Sequence, residues 1–371
     1  MMKRMDDFRQ VLAGAVIMAP MTKGSNLPYR RLCNQLGATI TMGEMAVARR
    51  LRQRKRGEFA LIQRAPDEQR FGVQLAGRDP AEMAWAAALA ESRGADLVDL
   101  NLGCPIDEFT RRGLGAALLR RPKRIREIVE AMKKAVAQIP VTVKIRLGWN
   151  DDDLNYLEVA RAAVDGGADA ITVHGRTRRQ RYRKAADWEA IGTVAAAVAV
   201  PVIGNGDILY PHDIDNKRRA AGCAGVMVAR GALIKPWVFR EACNGVLDES
   251  AECRWQVYSE YARLGREHWG DDDHGRSRFR EFLLWHLGFW CRFVPRRPDG
   301  TFSSMQERES QIEPASTAEA LLARVDPPGH AYLADCLLDG VDLDHAVRHA
   351  PSPVSLPPDL SVARDRTVVR G

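Results

Sequence analysis

The sequence predicts a (β/α)8 barrel, an α/β fold, followed by a smaller all-helical domain. Eight short runs rich in β-branched residues alternate with amphipathic segments within roughly the first 240 of the 371 residues. Helix-to-strand turns recur as Gly37-Ala38, Gly94-Ala95 and Gly167-Ala168, where glycine takes the left-handed conformation cheaply. A doubly wound sheet is the alternative, but no Gly-x-Gly-x-x-Gly follows the first run.

The eight runs are the predicted barrel strands. In chain order they lie at 15–21, 38–45, 70–77, 96–103, 140–148, 169–175, 200–207 and 224–231. Between them, segments such as 121–137 and 153–168 repeat apolar residues every three and four positions, as a helix on a sheet requires. The predicted helices therefore cover the outside of a parallel barrel.

The strand rhythm stops near residue 240. Helices are predicted at 252–268, 277–294, 317–324 and 331–348. The last stretch, 351–371, is rich in proline and arginine, which favours a disordered tail. We therefore expect three parts, namely a barrel domain at 1–240, a helical domain at 241–350 and the tail at 351–371.

Composition narrows the class of protein. The chain has no apolar run of about 18 residues, and its start has no apolar signal core, so a cytoplasmic protein without a membrane segment is expected. Its seven cysteines include no Cys-x-x-Cys pair, which argues against a disulfide framework and a zinc site. No metal is expected.

Charge points to a polyanionic partner. The net charge is +7, and two segments, 49–56 and 176–184, each hold six basic residues. A solvated surface explains one such cluster as well as a binding site does. Two clusters together with a positive balance favour nucleic acid.

The predicted strand ends carry polar side chains. In a barrel enzyme the active site lies at the carboxyl ends of the strands. The candidates there are Thr22, Gln74, Asn101, Cys104, Lys144, Arg146, His174, Asn205, Asp207 and Arg230. Each alone could be an ordinary rim residue, but a ring drawn from so many strands indicates a large polar ligand, because buried polar groups need partners.

The last two strands indicate the type of ligand. Gly206 and Gly231 allow backbone N–H groups to approach a phosphate, and Arg230 can add a charge-assisted bond. Lys144 could place positive charge beside a ring that becomes anionic on reduction. These features describe FMN, although a phosphate-binding barrel with a Schiff-base lysine would share some of them.

Several motifs resemble those of the flavin-dependent tRNA dihydrouridine synthases. The matching pieces are 18-MAPMTKGSNLPYRRLC-33, 73-VQLAG-77, 99-DLNLGCPID-107, 113-GLGAALLRRP-122, 142-TVKIRLGW-149, 173-VHGRT-177, 203-IGNGDI-208 and 227-MVARGAL-233. Within that family, 42-MGEMAV-47 and 285-WHLGFWCRFVP-295 are most similar to the eukaryotic class that modifies a variable-loop uridine of tRNA. The zinc-finger extension of that class is expected to be absent.

The resemblance implies a reaction and a set of roles. NADPH would reduce FMN, a hydride would pass to C6 of a flipped-out uracil, and Cys104 would protonate C5. The residues implied to contact FMN are Pro20, Met21, Thr22, Gln74, Lys144, His174, Asn205, Gly206, Asp207, Ala229 and Arg230. Substrate would be bound by Asn101, Arg146, Arg178 and Tyr182.

The implied partner is tRNA, bound by a monomer whose helical domain grips the tRNA body. The arginines in 276–293 fit that role, whereas Phe279, Trp285 and Phe289 are expected to be core. Two alternatives stay open, namely a flavin barrel acting on a free pyrimidine and one acting on another RNA. A free pyrimidine would need neither the basic clusters nor the helical domain.

Overall fold

The structure, a computed structural model, describes residues 2–247, 249–297, 299–305 and 314–354. Eight parallel strands lie in this part of the chain. They are β1 Val16–Met18, β2 Ile40–Met42, β3 Phe71–Ala76, β4 Leu97–Leu102, β5 Val141–Arg146, β6 Ala170–His174, β7 Val202–Asn205 and β8 Gly225–Val228. Each pairs with the next, and β8 returns to β1, so the sheet closes on itself. The predicted (β/α)8 barrel is confirmed.

Every predicted strand contains an observed strand, which is shorter in each case. A two-residue strand, Ala46–Val47, extends the barrel rim by pairing with Leu75 and Ala76 of β3. After β5, the strands Gly148–Asn150 and Asp153–Leu154 form a small antiparallel hairpin. Both additions lie at the carboxyl end of the barrel.

Helices lie around the barrel and at its two ends. They are Met2–Leu12, Leu27–Gln35, Ala48–Arg52, Arg56–Leu61, Pro80–Ser92, Asp107–Thr110, the 3-10 helix Gly115–Arg120, Pro122–Ala135, Tyr156–Asp165, Trp188–Ala197, Pro211–Ala220, Arg230–Ile234 and Val238–Asn244. Helix Pro80–Ser92 begins at Asp79, whose side chain accepts the N–H of Glu82. Gly37, Gly94 and Gly167 have φ values of 102°, 83° and 91°, which confirms the predicted left-handed turns.

The barrel interior changes character along its axis. Near the amino ends of the strands, Ile17, Ile40, Leu97, Ala170 and Ile203 form one buried apolar cluster. Further along, β1 and β2 continue with the apolar Ala19 and Met42, whereas the inward-facing residues of β3 to β7 are polar. They are Gln74, Asp99, Asn101, Thr142, Lys144, Thr172, His174 and Asn205. The apolar layer closes the barrel floor, and the polar layer faces the carboxyl end.

The C-terminal helices pack against the first barrel helix. They are Ala251–Trp269, Asp273–Trp290, Thr317–Leu322, Pro327–Asp339 and Leu343–Arg348. Tyr29 of helix Leu27–Gln35 stacks on His286 at 4.1 Å between ring centroids, and Tyr258 stacks on Trp290 at 4.0 Å. Phe279 and Phe289 are buried core residues, as predicted, and Trp285 is partly buried. The domain boundary near residue 240 stays a prediction.

The single helix predicted at 331–348 is wrong. Gly340, with φ 70°, takes the left-handed conformation and ends Pro327–Asp339, and Asp342 then caps a separate helix. Of the expected tail, residues 355–371 lie outside the described part of the chain. None of the helices that the structure describes has both the length and the apolar character needed to cross a membrane.

Candidate active site at the carboxyl end of the barrel

Cys104 lies at the exit of β4, in a loop fixed at both ends. Its backbone N–H donates to Asn101 Oδ1 at 2.9 Å, and its carbonyl accepts the N–H of Ala116 at 3.1 Å. A Cβ added at Gly115, which has φ 59°, would lie 2.8 Å from the Cys104 carbonyl oxygen. Only glycine allows the backbone to approach so closely here. The Cys104 side chain is partly buried.

The surroundings of Cys104 keep its thiol protonated. Burial raises the pKa of the thiol, while the Ile106 N–H and the charge of Arg146 partly oppose that rise. The same two groups would stabilise a thiolate once the proton is gone. Cys104 therefore combines a proton at neutral pH with an environment that tolerates its loss.

A chain of hydrogen bonds runs from the barrel interior to Cys104. Thr142 Oγ1 and Gln74 Nε2 donate to the two carboxylate oxygens of Asp99 at 2.7 and 2.8 Å. Asn101 Nδ2 donates to Gln74 Oε1 at 2.7 Å. Burial raises the pKa of Asp99 to about 6, against the opposing effect of its hydrogen bonds and of Lys144. The carboxylate is thus ionised above that pH.

Lys144 extends from β5 across the interior. Its Nζ donates to Asn205 Oδ1 at 3.0 Å, and Asn205 Nδ2 donates to the Met227 carbonyl at 2.7 Å. Burial, with Arg146 nearby, lowers the pKa of Lys144 to about 7, and Asp99 opposes this effect. An anionic ring placed next to the ammonium would favour its charged form.

His174 is neutral in this site. Burial lowers its pKa well below the ordinary value, and the charges of Arg146, Lys144 and Arg176 act in the same direction. Its Nε2 lies 3.3 Å from Arg176 Nη1. A neutral imidazole next to an arginine can accept a hydrogen bond through Nε2.

A small cavity lies where β7 and β8 end. Its lining includes His174, Tyr182, Gly206, Ala229, Arg230, Gly231 and Met305. A Cβ at Gly231 would lie 2.0 Å from the Ile208 carbonyl oxygen, so glycine is required there. The cavity has a volume of about 30 Å³, which is room for a few water molecules. A lining with Arg230 and two glycines suits a phosphate.

Asp207 faces arginines. Arg176 Nη2 donates to both of its carboxylate oxygens at 2.6 and 2.7 Å, and the Ala186 N–H donates at 2.7 Å. Arg230 Nη2 lies 3.4 Å away and its guanidinium covers the Tyr182 ring at 4.8 Å. Asp207 therefore orients two cations beside the cavity.

Three predicted residues, Pro20, Met21 and Thr22, lie in the loop after β1. The helices Ala251–Trp269 and Asp273–Trp290 hold this loop. Asn26 Nδ2 donates to Tyr261 Oη at 3.0 Å, and a Cβ at Gly24 would lie 2.9 Å from Trp285. The C-terminal helices thus fix one side of the barrel mouth.

Two of the predicted substrate residues bind other parts of the protein. Arg146 is buried and donates to the carbonyls of Gly103 at 2.8 Å and Thr177 at 3.0 Å, so it ties the Cys104 loop to the loop after β6. Arg178 pairs with Asp107 and stacks on Trp149 at 4.5 Å. Tyr182 is 36% exposed, with its ring 6.2 Å from that of His174.

Both basic segments lie at the barrel rim. Segment 49–56 follows the rim strand Ala46–Val47, and 176–184 follows β6 directly. Their exposed cations are Arg49, Arg52, Arg54, Lys55, Arg56, Arg179, Arg183 and Lys184. In helix Asp273–Trp290, by contrast, Arg276 and Arg280 pair with Asp339 and Asp335, so those arginines join helices.

The sequence reasoning left out Arg176 and Asp99. Arg176 was visible two residues after His174, in the same strand-end motif. Asp99 precedes Asn101 by two positions and therefore shares its strand face. Strand alternation was the signal that would have found it.

The sequence matches the family model "Dihydrouridine synthase (Dus)" over residues 17–276. It is 42% identical over 296 residues to a Homo sapiens protein named as tRNA-dihydrouridine(47) synthase-like, covering 79% of this chain and 44% of that one. A tRNA-dihydrouridine(47) synthase of Cryptococcus neoformans is 38% identical over 351 residues, covering 89% and 48%. Both names include NAD(P)(+).

The chain spans less than half the length of these two relatives. Among solved structures, a 6-hydroxypseudooxynicotine amine oxidase from Pseudomonas geniculata superimposes with a TM-score of 0.51 at 13% identity. The superposition covers 67% of this chain and 50% of that one. This likeness concerns the fold alone.

Proposed function

The chain belongs to the dihydrouridine synthase family, and we propose that it reduces a uridine of tRNA to 5,6-dihydrouridine. The observation that carries the proposal is the anchored, protonated Cys104 at the barrel mouth. The target that we propose is position 47, which the names of both relatives include. A bound FMN, reduced by NADPH, would supply the hydride that C6 of the uracil receives.

The residues present fit FMN. A phosphate would meet Gly206, Gly231 and Arg230, with Arg176 and Asp207 behind them. The isoalloxazine ring would lie against the polar layer that Gln74, Lys144, His174 and Asn205 form. Lys144, with its pKa lowered to about 7, can take up a proton when negative charge develops beside it. Pro20, Met21, Thr22 and Ala229 complete the proposed contacts.

Cys104 supplies the proton. Its S–H bond breaks as a C–H bond forms at C5 of the uracil, and the resulting thiolate lies near the Ile106 N–H and the charge of Arg146. The thiolate regains a proton from solvent after product leaves. Asn101 holds the Cys104 backbone and keeps a second amide N–H available for a carbonyl of the base.

The basic rim would bind the RNA. A uridine in folded tRNA must leave its stack to reach a barrel interior, and phosphates flanking it would then pass close to 49–56 and 176–184. Arg178 and Tyr182 lie on that path, and Arg146 supports it from below. The helices from 251 onward would contact the tRNA body. Because mouth and rim belong to one chain, we propose a monomeric, cytoplasmic enzyme.

The test uses NADPH, FMN-loaded protein and tRNA from a strain that lacks the gene. We expect mass spectrometry to detect a uridine that has gained two hydrogens, and sequencing to locate it at position 47. Free uridine in place of tRNA should give no product. Absence of dihydrouridine with flavin-loaded protein and intact tRNA would contradict the proposal, and reduction of free uridine alone would favour a small-molecule enzyme.

A further inference from the structure

Asp99 is a carboxylate in the middle of the barrel interior. It is 2% exposed, and both of its oxygens accept hydrogen bonds, one from Thr142 at 2.7 Å and one from Gln74 at 2.8 Å. An ionised carboxylate only accepts hydrogen bonds, whereas an amide both donates and accepts. The amide of Gln74 must therefore turn its NH2 group, and not its oxygen, towards Asp99.

This requirement passes along the chain of hydrogen bonds. Gln74 turns Nε2 to Asp99, so its Oε1 is left to accept from Asn101 Nδ2 at 2.7 Å. Asn101 in turn has Oδ1 free to accept the backbone N–H groups of Gly103 at 3.3 Å and Cys104 at 2.9 Å. Each amide orientation follows from the one before it.

Asp99 and Cys104, the two ends of this series of hydrogen bonds, lie in different kinds of structure. Asp99 lies inside β4 and pairs in register with Gln74 of β3 and Thr142 of β5. Cys104 lies beyond the end of β4, in a loop. A reversed Asn101 amide would place its NH2 group against the Cys104 N–H, and a reversed Gln74 would place its oxygen against the carboxylate. Asp99, which the sheet holds in place, thus sets the amide orientations that determine the position of the Cys104 backbone.

The orientation of the Gln74 and Asn101 amides also determines which hydrogen-bonding groups a ligand meets at the barrel mouth. An amide nitrogen carries two N–H groups, and Gln74 and Asn101 each use one of them within the chain of hydrogen bonds. Among the described residues, no acceptor binds the second N–H of either amide. Both side chains therefore have a donor for a ligand that enters the barrel. A ring edge that carries carbonyl oxygens matches such donors.

We propose that Asp99 is a positioning residue, which fixes the direction of the Gln74–Asn101 chain and thereby holds the backbone of Cys104 in place for proton transfer. Its role in the reaction rests on the proposed function. Its effect on the Cys104 loop does not, because the loop geometry can be measured without RNA or flavin.

The experiment measures the alkylation of each cysteine by iodoacetamide, resolved by peptide mass spectrometry. Cys243 and Cys253 are exposed and serve as internal references for Cys104. The variants D99L and Q74L each interrupt the series of hydrogen bonds between Asp99 and Cys104. T142V removes one donor to Asp99 and leaves that series intact. D99N keeps the shape of Asp99, but its amide can donate or accept, so the Gln74 amide could then take either orientation.

We expect D99L and Q74L to raise the alkylation rate of Cys104, relative to those of Cys243 and Cys253, by about fivefold. That factor corresponds to the loss of one net hydrogen bond. D99N should give a smaller rise and T142V no change. With NADPH and tRNA, D99N should lower kcat and leave the KM for tRNA unchanged.

The proposal is overturned if Q74L exposes Cys104 while D99L does not, or if T142V matches D99L. Should D99L fail to fold, an unchanged Cys104 ratio in D99N would overturn it. If the wild-type protein reduces no tRNA, the proposed function fails while the alkylation ratios still decide the role of Asp99.

Discussion

The buried ion pair between Arg176 and Asp207 is expected to contribute strongly to the stability of the fold. The Arg176 side chain is 1% exposed and that of Asp207 is 6% exposed, and two hydrogen bonds of 2.6 and 2.7 Å join them. The change D207N keeps the size of the side chain and tolerates the positive φ of 49° at this position. It removes the counter-charge and leaves the Arg176 guanidinium buried beside other cations.

Removing one partner of a buried ion pair costs about 3–5 kcal/mol. At about 2 °C per kcal/mol, thermal unfolding should begin about 6–10 °C lower in D207N. The matched control is D271N, which removes one of the two exposed partners of Arg276 and should change the melting temperature little. Circular dichroism melts of the three proteins at pH 7.5 provide the comparison.

A double variant separates the lost pair from other effects of the substitution. R176M/D207N removes the cation that D207N leaves unpaired, so it should recover part of the lost stability. Flavin retention should fall in both variants, because Arg176 and Arg230 lose their common orientation. A D207N melting temperature equal to that of D271N, or a double variant no more stable than D207N, would show that the Arg176–Asp207 pair does not stabilise the fold.

Three further predictions concern the interior and the Cys104 loop. C104A should keep flavin and tRNA binding but lower the single-turnover rate by about 10²–10⁴-fold, the contribution of a positioned general acid; an unchanged rate would contradict it. In G115A the new Cβ meets the Cys104 carbonyl at 2.8 Å, so peptide-resolved alkylation of Cys104 should change while the far-UV spectrum does not. Burial lowers the pKa of Lys144 to about 7, so above that pH the unfolded chain holds a proton that the folded one lacks, and stability rises with pH up to the ordinary value of 10.5. The melting-temperature advantage of K144M over wild type should therefore shrink between pH 7 and pH 9.5, and a constant difference would refute the lowered pKa.

Much of the fold followed from local patterns. The eight strands were predictable because each buried run is short and bounded by a helix or a glycine turn, and Gly37, Gly94 and Gly167 indeed have positive φ. The break at Gly340 was missed because the apolar pattern continues on both sides of it. A glycine inside a periodic segment does not reveal whether the helix continues.

The site was predictable in its location more than in its pairings. The position of Cys104 at a strand exit was predictable because the alternation of β4 reveals where that strand ends. Its catalytic role stays a prediction. The role of Asp207 as a cofactor contact stays a prediction, and sequence reasoning did not find that its carboxylate pairs with Arg176. The choice among several arginines depends on loop geometry after β6 and β7, and the spacing of residues along the chain does not encode it.

We propose that a reduced flavin bound in this barrel is oxidised by a uridine of tRNA. The direct measurement loads the purified protein with FMN, reduces it with NADPH without oxygen, and mixes it with tRNA from a strain that lacks the gene. Flavin absorbance should return rapidly with tRNA and not with free uridine, and more slowly with C104A. Return of absorbance with free uridine alone, or a protein that cannot be loaded with FMN, would contradict the account.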